Sequence, residues 1–447
     1  MDGLPPSLVL EILSRLTDSA DLARCRVASK TLKDLSYEGR TLNHLCTLSQ
    51  YLKSRSSDAD PLIMPFKTIF KNLVRNSPRL ECVSIGVEKS LGRRSFVEVE
   101  DDYDDLYLSD VSFMKDWLPV IGGRLRSLSI SDCWSQSSWR RSDALALISS
   151  CCSSLVELEL KNTWLSVDGL NIMPKLTNLT LEFVRLDDED LNKVNCCFMG
   201  LQVLNLIGVG GLKEPKIELL HLKRFHWTVS NAPLSLIILA PNLVELKLEC
   251  IKPKLLVLDT PSLSDLHLTI EEANEFKIKE FGCLKCLKLV SLNPFSVTGM
   301  LRLSRTVKML TVDIPRSIDS VASKLSLGTL FDCFPNLRSL KLGSGAWSGM
   351  EALFCAGGLE GGIGMKSVKE ITTYLMLYEM VTTLAFLFCV LDRCTNLSDV
   401  SLLIHREVDS STASKFISKC RANWPGVRWR WGMWEEGTED IWVSDAC

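Results

Sequence analysis

The sequence is poor in the residues that carry catalysis. It holds five histidines: His44, His221, His226, His267 and His405. None falls in an H-E-x-x-H pair, and no G-x-S-x-G nucleophile turn occurs. That excludes the common metal-protease and serine-hydrolase sites and predicts a chain without catalytic residues. A basic excess is missing too: the formal net charge is -3, which argues against nucleic-acid binding. Residues 1–20 lack a basic start followed by an apolar core, so no secretory leader is expected. Seventeen cysteines, an odd number without such a leader, predict reduced thiols in cytoplasm or nucleus. Cys283 and Cys286 form a C-x-x-C with no second pair, two of the four ligands a structural zinc needs. They, Cys151-Cys152 and Cys196-Cys197 read as small apolar fillers, and no metal or cofactor is expected.

Long apolar runs are scarce as well. Ile371 to Leu391 has one charge, Glu379, and the length of a membrane span. Four threonines dilute it, so a buried helix is expected and no membrane contact. Gly357 to Gly364 has five glycines, yet Met365 stands where a phosphate loop needs Gly before Lys366-Ser367. A plain loop is expected there. Glu98 to Asp105, six acids in eight residues, reads as a solvated loop.

What is present begins at residue 4. Leu8, Ile12 and Leu16 recur at helical spacing, Leu13 widens the stripe, and Pro6 suits a first turn. Asp18 and Asp21 read as the start of a second helix with Leu22, Cys25 and Val27. Ser29 reads as the cap of a third, with Leu32 and Leu35 inward. Three helices in about forty residues cannot bury enough surface to stand alone, so they need a partner. The order Leu4-Pro5, Ile12-Leu13-Ser14-x-Leu16, Asp21-Leu22, Cys25-x-Val27 and Ser29-Lys30-x-Leu32 resembles an F-box. The chain departs from many F-boxes at Ala28 and Leu32, where Val and Trp are frequent. The resemblance implies docking on the Skp adaptor, and through it cullin, of a ubiquitin ligase. It implies Leu4, Pro5, Leu8, Ile12, Leu13, Leu16, Leu22, Cys25, Val27 and Lys30 as adaptor-binding positions.

Behind it the motif Leu-x-x-Leu-x-Leu recurs. Copies include Leu125-Arg-Ser-Leu128-Ser-Ile130, Leu155-Val-Glu-Leu158-Glu-Leu160 and Leu243-Val-Glu-Leu246-Lys-Leu248. Starts from 155 to 307 lie 21, 25, 21, 21, 20, 21 and 23 residues apart. That is the period of leucine-rich repeats, units that close a core only by stacking. The expected fold class is α/β: a three-helix F-box, then a leucine-rich-repeat solenoid with a parallel concave β-sheet. The expected divisions are 1–40 for the F-box, 41–79 for a helical connector, 80–345 for the array and 346–447 for irregular repeats and a Trp-rich cap. The arrangement is similar to plant-type F-box/leucine-rich-repeat proteins, the substrate receptors of Skp–cullin–F-box ubiquitin ligases.

Within each motif the second and third leucines point inward, and the third, fifth and seventh places outward. Outward residues then form rows: His226, Lys247 and His267, and Arg224, Glu245 and Asp265, with Glu157, Glu159 and Lys161 on an earlier unit. These are the candidate contacts for an unknown protein substrate. A scaffold without ligase function and a small-molecule receptor are the alternatives for the same array.

Overall fold

A computed structural model gives the structure of the chain. It describes residues 4–16, 19–53, 64–88, 103–133, 140–229, 233–249, 253–270, 275–279, 281–291, 305–315, 327–357 and 365–443. The chain divides into two compact units, Met1–Asn231 and Ala232–Cys447.

The first unit opens with three helices: α1 (Pro6–Ser14), α2 (Ser19–Ala28) and α3 (Lys30–Ser36). Pro6 sits in the first turn, where its missing N–H has no partner to lose. The Pro5 carbonyl accepts the N–H groups of Leu8 at 3.0 Å and Val9 at 3.2 Å. Ser29 caps α3 by accepting the Leu32 N–H, as its position predicts. Val9, Leu13, Leu22 and Leu32 form the core, and Leu16, Cys25 and Leu35 pack against it. Asp18, expected to cap α2, lies outside the described residues.

Leucine spacing predicts helix straight on from residue 41. The chain instead forms a strand, Thr41–Thr47, before a short helix, Leu48–Lys53. The strand pairs in parallel with Cys82–Glu88, placing Leu42 opposite Val83 and His44 opposite Ile85. Pairing along that edge satisfies a row of backbone groups at once, which outweighs local helix preference. The helix Phe66–Arg75 follows as expected, burying Phe66, Phe70 and Val74 on one side. Its start is capped from a distance. The Asp105 carboxylate accepts the N–H groups of Phe66 at 2.7 Å and Lys67 at 3.0 Å, and the Tyr51 hydroxyl at 3.2 Å. The acidic run therefore does not end in solvent, and its earlier part, residues 98–102, lies outside the described residues.

Six more parallel strands in this unit follow the motif: Cys82–Glu88, Ser127–Ser131, Glu157–Lys161, Asn178–Glu182, Val203–Val209 and Arg224–Val229. Their register aligns Val83, Leu128, Leu158, Leu179, Leu204 and Phe225 as one buried column. Ile85, Ile130, Leu160, Leu181, Leu206 and Trp227 form a second. Longer intervals hold helices, Ala144–Cys151 and Asp188–Cys197. Behind the strands, the buried Asp132 carboxylate accepts the Ser109 N–H at 3.0 Å and the Ser109 hydroxyl, tying residue 109 to the sheet.

Among the described residues of the second unit, eight parallel strands form one sheet: Glu245–Glu249, Asp265–Thr269, Cys286–Val290, Met309–Asp313, Ser339–Leu342, Glu370–Leu375, Asp399–His405 and Arg428–Trp434. An antiparallel strand, Ile441–Val443, ends the sheet. Between motifs, Ser235–Leu239, Leu255–Asp259 and Glu275–Ile278 form a second parallel sheet, the extended segments that the short period leaves room for. Ile371 to Leu391 is not one helix: its start belongs to the strand Glu370–Leu375, and the helix is Met380–Arg393. Thr372 and Thr373 are β-branched and suit a strand. Among the described residues no helix is long and apolar enough to cross a membrane. The Trp-rich tail forms the strand Arg428–Trp434, with Trp429 opposite Val400 and Trp431 opposite Leu402.

Candidate functional site

The helical face is built by α1 to α3. Packing of these helices divides the ten sequence candidates into two sets. Leu13 and Leu22 are buried in the core, with Leu16 and Cys25 half-buried against it. Leu4, Pro5, Leu8, Ile12, Val27 and Lys30 are exposed. Val27 is 90% exposed although it is β-branched and apolar. Spacing alone does not separate Leu8 and Ile12 from Leu13, because all three are apolar and lie on α1. Leu32 belongs to the core, so the departure there is absorbed inside the three helices.

The outward face of the sheet is built by the alternation of each strand. In the first unit Ser127 donates to Glu157 at 3.3 Å and Ser129 to Glu159 at 2.7 Å. Lys161 Nζ lies 3.1 Å from both Glu159 and Glu182. Partial burial pulls the Lys161 pKa down, but its hydrogen bonds and charge contacts with Glu182 and Glu159 outweigh this, and the net shift is upward. Arg224 and His226 also belong to this unit, where their register partners are Val203 and Asn205. Thr228 Oγ1 lies 3.1 Å from His226 Nε2.

In the second unit the last two members of each expected row align, and each row extends further. Glu245, Asp265 and Cys286 align, as do Lys247, His267, Lys288 and Thr311. They line a shallow cavity of about 230 Å³ that also takes in Met309. Lys247 Nζ lies 2.8 Å from Glu249. Burial first, then a hydrogen bond to Asp265, pushes the Cys286 thiol up to about 11. It stays protonated at neutral pH and is a poor nucleophile. Cys283 and Cys196 are exposed, so the filler role predicted for them does not hold, whereas Cys152 is buried as predicted. Among the described residues no group of three or more His, Cys, Asp or Glu is placed to hold a metal ion. Cys286, Lys288, Met309 and Thr311 join the candidates in this structure, each at an outward place of a recognisable motif.

Residues 1–47 match the F-box-like family. An F-box/LRR-repeat protein of Arabidopsis thaliana is 51% identical over 449 residues, covering 99% of this chain and 100% of that protein. A solved structure of the Rad7 and Elc1 complex in yeast overlaps 95% of this chain and 92% of its own, with 11% identity and a TM-score of 0.27. Likeness at that level carries no argument. The chain belongs to the F-box/LRR-repeat proteins. It is accordingly a non-catalytic subunit with the general role of an adaptor in Skp–cullin–F-box ubiquitin ligases.

Proposed function

We propose that the chain is a substrate receptor. It binds the Skp adaptor through the exposed residues of the three-helix F-box and of Leu4-Pro5 before it, and it holds a target protein on its leucine-rich repeats. In this reading the parallel strands of each unit are leucine-rich-repeat strands, and their outward faces take the target. The chain then supplies proximity and no bond-making: a held target lysine meets the loaded conjugating enzyme at raised effective concentration. Degradation by the proteasome follows, in cytoplasm or nucleus.

The observation that supports this most is the exposure of Leu4, Leu8, Ile12 and Val27 on one small domain. A three-helix unit that leaves this much apolar surface in water is built to meet a partner. The sheet-face cavity, about 230 Å³, falls below the ~300–1,000 Å³ usual for small-molecule sites. That cavity is too small for a typical small-molecule ligand. The test is affinity capture of the full chain from its own cells with the proteasome blocked. Skp and cullin peptides among the captured proteins support the reading. Their absence under conditions that preserve another such ligase would contradict it.

A further inference from the structure

Six cations line one groove of the second unit: Lys285, Arg305, Lys308, Arg338, Lys366 and Lys369. The groove has a volume of about 900 Å³. All six residues are exposed, and no carboxylate is among its lining residues. None of the six is in an ion pair among the described residues.

Their alignment is fixed by the backbone. Lys285, Lys308, Arg338 and Lys369 occupy the second place of successive motifs. The N–H of Lys308 donates to the Lys285 carbonyl, that of Arg338 to Lys308, and that of Lys369 to Arg338, each at 2.8 Å. Neighbouring strands lie ~4.8 Å apart, so the row runs roughly 14 Å. Like charges set side by side at that spacing repel one another. The first unit shows how such a row can be neutralised from within. Its basic cavity, lined by Arg40, Arg79, Arg124, Arg126 and Lys175, also holds Glu81. There Arg40 lies 3.2 Å from Glu81, and Arg79 3.1 Å from Glu38. The groove of the second unit has no equivalent acid.

A span of roughly 14 Å matches about four residues of extended chain. A run of Asp and Glu laid along the row brings carboxylates within reach of successive cations. The lining includes no Phe, Tyr or Trp, the platforms on which nucleic-acid bases stack. We infer that this groove docks an extended acidic segment of a partner protein, read by charge. The inference rests on the reading that the repeats hold a protein target, and it names the chemistry of that target.

The test uses the purified full chain and a fluorescein-labelled octapeptide of alternating Asp and Glu. A neutral Ser/Gly octapeptide and a single-stranded oligonucleotide of equal charge are titrated alongside, at low and high salt. The variants are Lys308→Glu with Arg338→Glu and Lys369→Glu, and the milder Lys308→Gln with Arg338→Gln and Lys369→Gln, each with a thermal melt. The expected result is salt-sensitive binding of the acidic octapeptide alone, weakened at least tenfold in whichever variant melts like the parent. No binding, equal affinity in a folded variant, or tighter binding of the oligonucleotide overturns the inference. Skp titrated against the same proteins separates the two readings, since its affinity depends on the three-helix F-box and Leu4-Pro5 and not on this groove.

Discussion

Leu8 and Val9 are neighbours in α1, about a quarter-turn apart, yet Leu8 is 51% exposed and Val9 2%. The helix therefore has a side that holds the three helices together and a side that holds nothing within the described residues. Leu13→Asp puts a charge into the core and is expected to destabilise the three-helix unit by more than about 3 kcal/mol. Leu8→Asp is expected to shift stability by less than about 0.5 kcal/mol. Circular dichroism melts of both variants check the division, and equal losses would show that the helices pack differently.

The same contrast applies to the repeats. Leu246 is fully buried in the column of the second unit, while its neighbour Glu245 is exposed. Leu246→Asp is expected to cost more than about 3 kcal/mol, and Glu245→Ala less than about 0.5 kcal/mol. Chemical denaturation of the two variants reads the difference. If both unfold at the same midpoint, the strand register is wrong.

Asp105 caps a helix that begins 39 residues before it, through the Phe66 and Lys67 N–H groups. Asp105→Ala leaves both donors without that acceptor and is expected to cost about 1–2 kcal/mol. Hydrogen exchange at Phe66 and Lys67 should quicken in the variant. Unchanged exchange and an unchanged melt would mean that water replaces the cap without loss.

Asp132 gives a pH signature. Burial pushes its pKa from 3.8 to about 6, partly opposed by hydrogen bonds from Ser109 and Leu108. The folded pKa lies above the unfolded one, so the fold favours the protonated acid. The associated stability is fully present below about pH 4 and is lost as pH rises through about 6. The loss is on the order of 3 kcal/mol. Asp132→Asn cannot titrate, so its stability relative to the parent should rise between pH 4 and pH 7. A gap that stays flat across that range would mean Asp132 titrates normally.

Much of this was legible from spacing. The paired columns follow from leucines two residues apart, a period that only a strand can place on one side. Legibility stopped where the deciding partner is far along the chain. The strand Thr41–Thr47 depends on Cys82–Glu88, and the Asp105 cap on residues 66 and 67. It also stopped where residue type broke the motif. Val368-Lys369-Glu370-Ile371-Thr372-Thr373 is a repeat whose third apolar place holds Thr373, fully buried with no partner for its hydroxyl among the described residues. The adaptor face posed a third difficulty: Leu8 and Leu13 are chemically identical, and only packing decides which one faces water. The cation row stands at the second place of each motif, one place before the alternation that marks inward and outward positions.

The central claim is that exposed residues of the F-box carry the adaptor contact. Its most direct test is a titration of purified Skp against the parent chain, Leu4→Ala with Pro5→Ala, and Val27→Asp. Burying a leucine side chain is worth ~1.5–3 kcal/mol, and ~1.4 kcal/mol is a tenfold change in affinity. The account predicts at least tenfold weaker binding in each variant, with thermal melts that match the parent. Equal affinity in folded variants would contradict it and would place the adaptor contact elsewhere on the chain.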